Sequence, residues 1–175
     1  MYDHQSKSMW SQLNMMSVAG ERVNTVLTWL PSTEMSLGEW RNKYPEGKVL
    51  SMDTGVSRDY HGRAYAEYFE SPKNMFHVGQ IREEFAVKDW VVGLKIDGQT
   101  KAYPIPLLRS AADRLIVDTF ADTELQITLG NTRGNFEVRN TRTNKIIPHV
   151  KLYWFAWQAF YPDTPGIHAC TVTSA

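Results

Sequence analysis

At 175 residues the chain suits one domain, and a domain of that size buries roughly 70% of its unfolded surface, enough for a real core. Lys plus Arg number 19 and Asp plus Glu number 19, which leaves no surplus positive charge for broad binding to nucleic acid or to an anionic membrane. Cys170 is the only cysteine, which excludes an intrachain disulfide, and the longest apolar runs fall short of a membrane-spanning helix.

Taken in chain order, the first elements are short. Asp3 to Ser8 is rich in turn formers and predicts a tight connection into a strand that begins at Met9-Trp10. Only Met1 and Tyr2 precede it, so the chain is expected to start inside a hairpin. Met15 to Gly20 is weakly patterned, and Val23 to Leu30 predicts a strand that ends at Pro31. Ser36-Leu37-Gly38-Glu39 is a capping box, so a short helix is expected to run to about Tyr44, ahead of Pro45. Lys48 to Ser51 predicts a short strand, and Asp53 to Glu70 reads as an aromatic loop.

The later pattern is clearer. Val91 to Ile96, Asp97-Gly98 and Gln99 to Ile105 predict a hairpin with a type I′ turn, because both central residues need positive φ. Leu107 to Ala112 predicts a helical turn, and Leu115 to Phe120 and Leu125 to Leu129 predict strands. Phe136 to Arg139 and Lys145 to Leu152 predict a further hairpin around Asn140 to Asn144. Tyr153 to Phe160 predicts a short helix, apolar nearly all round except at Gln158 and therefore buried. Pro162 ends it, and residues 163–175 are expected to form a loose tail. The fold class is a β-rich α+β domain, an antiparallel sheet or partly open barrel built of hairpins with a few short helices.

Taken together, several strings resemble the bacterial family called domain of unknown function 3179. They are Met1-Tyr2-Asp3 with Ser8 to Gln12, Trp40 with Tyr44-Pro45, Val49-Leu50-Ser51 and Asp53-Thr54-Gly55. They continue with Arg58-Asp59-Tyr60, Tyr65 and Tyr68, Val92-Gly93-Leu94, Lys101 to Pro104, and Tyr153 to Trp157 with Phe160-Tyr161-Pro162. The resemblance implies a longer protein of two related halves, each with an Ala-Tyr-Pro element, the first half also carrying a two-cysteine motif and a His-Glu pair. Only the second such element, Ala102 to Pro104, is present, so the N-terminal half of the pattern is expected to be missing. The resemblance also implies an exported or lipid-anchored bacterial protein, although Met1 to Gln12 carry no signal peptide.

Candidate chemistry gathers in three places. Asp53, Arg58, Asp59, Tyr60, His61, Tyr65 and Tyr68 share one Gly-containing loop. Asp59, His61 and Tyr60 are the residues for acid–base work there, and Asp53, Arg58, Tyr65 and Tyr68 those for holding a polar ligand. The plainer reading is a surface loop whose charges pair locally and whose tyrosines pack with their hydroxyls in water. His168 and Cys170 form a His-x-Cys pair suited to zinc or copper, but no second close pair completes four ligands. A Cys170 nucleophile needs a rigid base and oxyanion hole, which a Thr- and Ser-rich tail does not supply. Arg133, Arg139, Arg142 and Lys145 read as solvated charge on a hairpin. No phosphate-binding loop, dinucleotide fingerprint, zincin helix or nucleophile elbow is present.

The expectation is a non-catalytic binding or structural module of an exported bacterial protein, with no cofactor. The alternatives are an enzyme with an acid–base site in the 53–70 loop and a metal-handling protein. A protein partner or self-association covering an open sheet edge is expected, with no nucleic acid and no membrane span.

Overall fold

The computed structural model describes residues 1–57, 65–75, 78–79, 82–130 and 135–165. Its strands form three antiparallel sheets of three strands each, and no barrel closes. The first sheet is β1 (Tyr2–Asp3), β2 (Ser8–Ser11) and β3 (Met16–Ala19), in that order. Hydroxyls rather than apolar side chains fill its interior, and Ser8 and Ser17 are fully buried. The Ser8 hydroxyl donates to the Ser6 carbonyl at 3.0 Å and accepts from the Arg22 N–H at 3.0 Å, so its burial leaves it partnered both ways.

The arm between residues 21 and 57 contains α1 (Leu37–Lys43) and no buried residue. Its helix starts where the capping box predicts: the Ser36 hydroxyl accepts from the Glu39 N–H at 3.2 Å, and the Glu39 carboxylate accepts from the Ser36 N–H at 2.9 Å. The strands expected at Val23 to Leu30 and Lys48 to Ser51 are not formed. The first is reduced to a single bridge, Met16 with Val26, and the second is exposed coil. The first run keeps a neighbour, with the Asn24 N–H donating to the Ser17 carbonyl at 2.9 Å and the Leu27 N–H to the Met15 carbonyl at 2.7 Å, but it buries no side chain there. The second run has neither ladder nor burial, and β-branched residues favour a strand only where both are supplied. After the arm, α2 (Ala66–Glu70) occupies the end of the stretch expected to be loop.

The second sheet holds the centre. β4 (Trp90–Ile96) pairs with β5 (Gln99–Pro104) on one side and with β9 (His149–Tyr153) on the other. The β4–β5 turn is as expected, with φ of +48° at Asp97 and +79° at Gly98. α3 (Ile105–Ser110) follows directly, with Pro106 in its first turn, where no hydrogen bond is lost. A short 3₁₀ turn, Ala112–Arg114, leads to the third sheet: β6 (Leu115–Phe120), β7 (Thr123–Leu129) and β8 (Phe136–Asn140). The expected hairpin after β8 begins, with the Asn140 N–H donating to Lys145 at 2.9 Å and a bridge from Arg139 to Ile146. Pro148 then breaks the ladder, and β9 pairs with β4 instead.

β4 is buried on both faces, which is why Val91 to Leu94 read as a continuous apolar run. Val92, Leu94, Tyr103 and Ile105 meet Ile116, Phe120, Leu125, Ile127 and Val138 in a core shared with the third sheet. On the other face, Val91, Ala102 and Leu152 meet Trp154 and Trp157 of α4 (Trp154–Phe160). Gly93 makes that contact possible: a Cβ there would lie 2.0 Å from the Trp157 ring.

One expectation about the closing segment is corrected. Gln158 is buried, its side-chain oxygen accepting from the Arg82 N–H at 2.8 Å, whereas Phe160 is 40% exposed. Just past Pro162, Thr164 is fully buried, accepting from the Trp157 indole N–H at 2.9 Å and lying 3.0 Å from the Thr100 hydroxyl. Residues 166–175 lie outside the described residues.

Candidate functional site

Of the loop residues singled out for chemistry, Arg58, Asp59, Tyr60 and His61 lie outside the described residues, as do His168 and Cys170. Asp53 is exposed, its backbone N–H donating to the Ser51 hydroxyl at 3.0 Å. Tyr65 is 64% exposed at a left-handed φ of +66°. Tyr68 is half-buried and carries the Lys88 ammonium 3.7 Å from its ring centre. No hydrogen bond, ion pair or ring contact joins Asp53, Tyr65 and Tyr68 to one another. Among the described residues, no three of His, Cys, Asp and Glu gather as metal ligands, and no helix is long and apolar enough to cross a membrane.

Beyond Tyr68 the aromatic surface continues through rings that satisfy one another. Trp90 and Tyr153 are cross-strand partners with ring centres 4.1 Å apart, and Phe155 stacks on Tyr153 at 5.9 Å. Burial, with a smaller contribution from the nearby Tyr68, raises the Tyr153 phenol above its ordinary pKa. The Lys151 ammonium sits 4.9 Å from the Trp90 ring and bonds both Glu34 carboxylate oxygens, at 2.8 and 2.9 Å. That ion pair ties the arm to β9.

A largely buried polar trio between the second and third sheets is one that reading the motifs alone missed. Lys101 and Tyr103 project from β5 toward the third sheet and meet Asp118 of β6. The Lys101 ammonium lies 2.5 Å from an Asp118 carboxylate oxygen, and the Tyr103 hydroxyl donates to the same oxygen at 2.7 Å. Burial first, and then the hydrogen bond to Asp118, push the Tyr103 phenol far above its ordinary range, so it stays protonated. A signal existed: Lys101 and Asp118 both fall on the core-facing alternation of their strands, beside Tyr103 and between Ile116 and Phe120. Opposite charges at two core-facing positions call for each other. The trio pins one sheet against the other in register.

An open cleft of about 160 Å³ lies where the first sheet, the arm and β9 converge, lined by Gln12, Leu13, Met15, Trp29, Leu30, His149 and Val150. His149 is half-buried against Phe136, ring centres 5.0 Å apart, and its Nδ1 lies 2.7 Å from the Ile147 carbonyl. A carbonyl only accepts, so Nδ1 carries the proton and Nε2 is left as the acceptor of the neutral ring. Burial lowers the His149 pKa, against smaller opposing effects of the Ile147 bond and the Glu137 carboxylate.

No curated protein and no solved structure matches the chain. A family model described as "Protein of unknown function (DUF3179)" matches residues 1–146, which takes in the first sheet, the arm, the Lys101–Tyr103–Asp118 trio and all strands but β9. The closing aromatic helix lies beyond the matched span. The chain belongs to the DUF3179 family of proteins of unknown function.

Proposed function

We propose that the chain is a non-catalytic binding module of an exported bacterial protein, completed by a protein surface that covers the arm between residues 21 and 57. The observation that carries this reading is the arm's unsatisfied apolar surface. Val26, Leu30, Val49, Leu50, Met52 and Val56 are all exposed, Leu30 to 77% and Leu50 to 91%. Apolar side chains scattered singly over a surface are ordinary, but a run of them on a segment with no buried residue signals an interaction surface. The compartment comes from the family resemblance, and the zero net charge suits association because little repulsion opposes it.

A photo-activated cross-linker placed at Leu50, with one at exposed Lys95 on the core as control, tests the reading in the cells that make the protein. A discrete adduct from position 50 alone supports it, and the adduct's mass tells a second copy from a different chain. The absence of any discrete adduct at position 50, or equal adducts from both positions, overturns it.

A further inference from the structure

We infer that the cleft between the first sheet, the arm and β9 is a binding site for a small neutral phenol, one aromatic ring carrying one hydroxyl. Its size sets the first limit. A cleft of about 160 Å³ matches one six-membered ring, since an apolar cavity of roughly 150 Å³ in another protein takes up benzene. Its walls set the second. Leu13 and Val150 are aliphatic, Trp29 offers an indole to stack on, and Met15 offers a sulfur, which favours contact with an aromatic ring.

The polar groups set the third limit. With Nδ1 committed to the Ile147 carbonyl, the hydrogen-bonding atom His149 has left is Nε2, an acceptor. A ligand that matches it brings a donor, and a phenol hydroxyl is a good one. Gln12, at the rim, can serve the hydroxyl's own oxygen through its amide. The charges nearest His149 are already paired. Lys151 is bound to both oxygens of Glu34, and the Glu137 carboxylate is held by Arg139 at 2.6 Å, so neither adds an uncompensated charge that would call for an ionic ligand. Trp29 and Leu30 of the arm line the cleft, so a cover over the arm would border it, and titrating the chain by itself tests the cleft apart from that reading.

The test is titration of the full chain with p-cresol, with toluene as the same ring lacking the donor and N-acetyltyrosinamide as the same phenol borne by a peptide. Saturable p-cresol binding with a Kd on the order of a millimolar or below is expected for so few atoms. Toluene should bind roughly threefold to tenfold more weakly, the effect of one neutral hydrogen bond. The His149 Nε2 resonance in a ¹⁵N spectrum should shift with p-cresol and not with toluene, a readout that needs no variant. His149→Phe should abolish the preference for p-cresol over toluene. Whichever phenol binds tighter identifies the source, a free small molecule or a tyrosine side chain. The inference is overturned if neither phenol saturates, if toluene binds as well as p-cresol, or if the Nε2 resonance stays fixed.

Discussion

The β-core and the arm are built from the same kinds of residue and meet opposite fates. Val91, Val92 and Leu94 of β4 are fully buried, while Val49, Leu50 and Met52 of the arm stand in water. The difference is not propensity but partners. β4 lies between two strands and beneath two covering layers, whereas the arm is held by its own capping box, one bridge to β3 and ties at Glu34 and Glu39. A β-branched residue gains stability only from what packs on it, so an identical run can be a core strand in one place and exposed coil in another.

Four experiments break or sharpen this contrast. The largest effect is expected at Asp118→Ala, which strands the Lys101 ammonium in the core and should cost about 3–5 kcal/mol in urea denaturation. Replacing the whole trio with Lys101→Met, Tyr103→Phe and Asp118→Leu should recover most of that loss, because the penalty comes from the unpaired charge. A loss under about 1 kcal/mol for Asp118→Ala would show that the trio is not buried. Next, Gly93→Ala drives a methyl into the Trp157 ring and should cost about 1–3 kcal/mol, with Trp157 losing its fluorescence signature of burial.

A smaller effect is expected from pH at the boundary between the two regions. His149 has its folded pKa lowered, so the unfolded chain takes up a proton that the folded chain refuses. Stability should therefore be full above the ordinary histidine value near 6.5 and fall as pH drops below it. The carboxyls of Asp3 and Glu124 are held below their usual range and act only at lower pH, which isolates the histidine. In His149→Phe the slope of stability between about pH 5 and 6.5 should flatten, and an unchanged slope would remove His149 from the account. The smallest effect is expected from Val26→Ser, Leu50→Ser and Met52→Ser, each within about 0.5 kcal/mol in the isolated chain. A cost above about 1 kcal/mol at any of them would mean the arm is already packed.

The sequence was most legible where a signal is local. Asp97-Gly98 names its turn because both residues tolerate positive φ, and Ser36 with Glu39 marks a helix start through two hydrogen bonds three residues apart. Illegible features depend on distant partners or break a local rule. The β6–β7 turn is Ala121-Asp122, both at positive φ, and no turn preference points to an alanine there. The strand expected at Val23 to Leu30 shrinks to one bridge, and the hairpin expected after β8 starts but hands its second strand to β4, because periodicity states that a run can pair, not which strand it pairs with. The trio was half legible, since a charge at a core-facing position is visible in each strand while its partner lies on another hairpin. The loop around Asp59 and His61, chosen for its residue types, falls outside the described residues. The cleft, by contrast, is assembled from three separate stretches, and no motif announces it.

The clasp at Thr164 bears on the order in which the molecule can be finished. β4 and β5 can pair as soon as both have left the ribosome, but the other edge of β4 waits for β9, and Trp157 waits for Thr164. From the emergence of β4 until β9 and α4 follow it, the central strand therefore has one open edge and one uncovered face. In that interval a nascent chain resembles the arm throughout, with apolar surface and nothing yet to set against it. A chain halted just before Thr164 should hold Trp154 and Trp157 within reach of proteases and chaperones, and the arrival of Thr164 turns that transient into a closed domain.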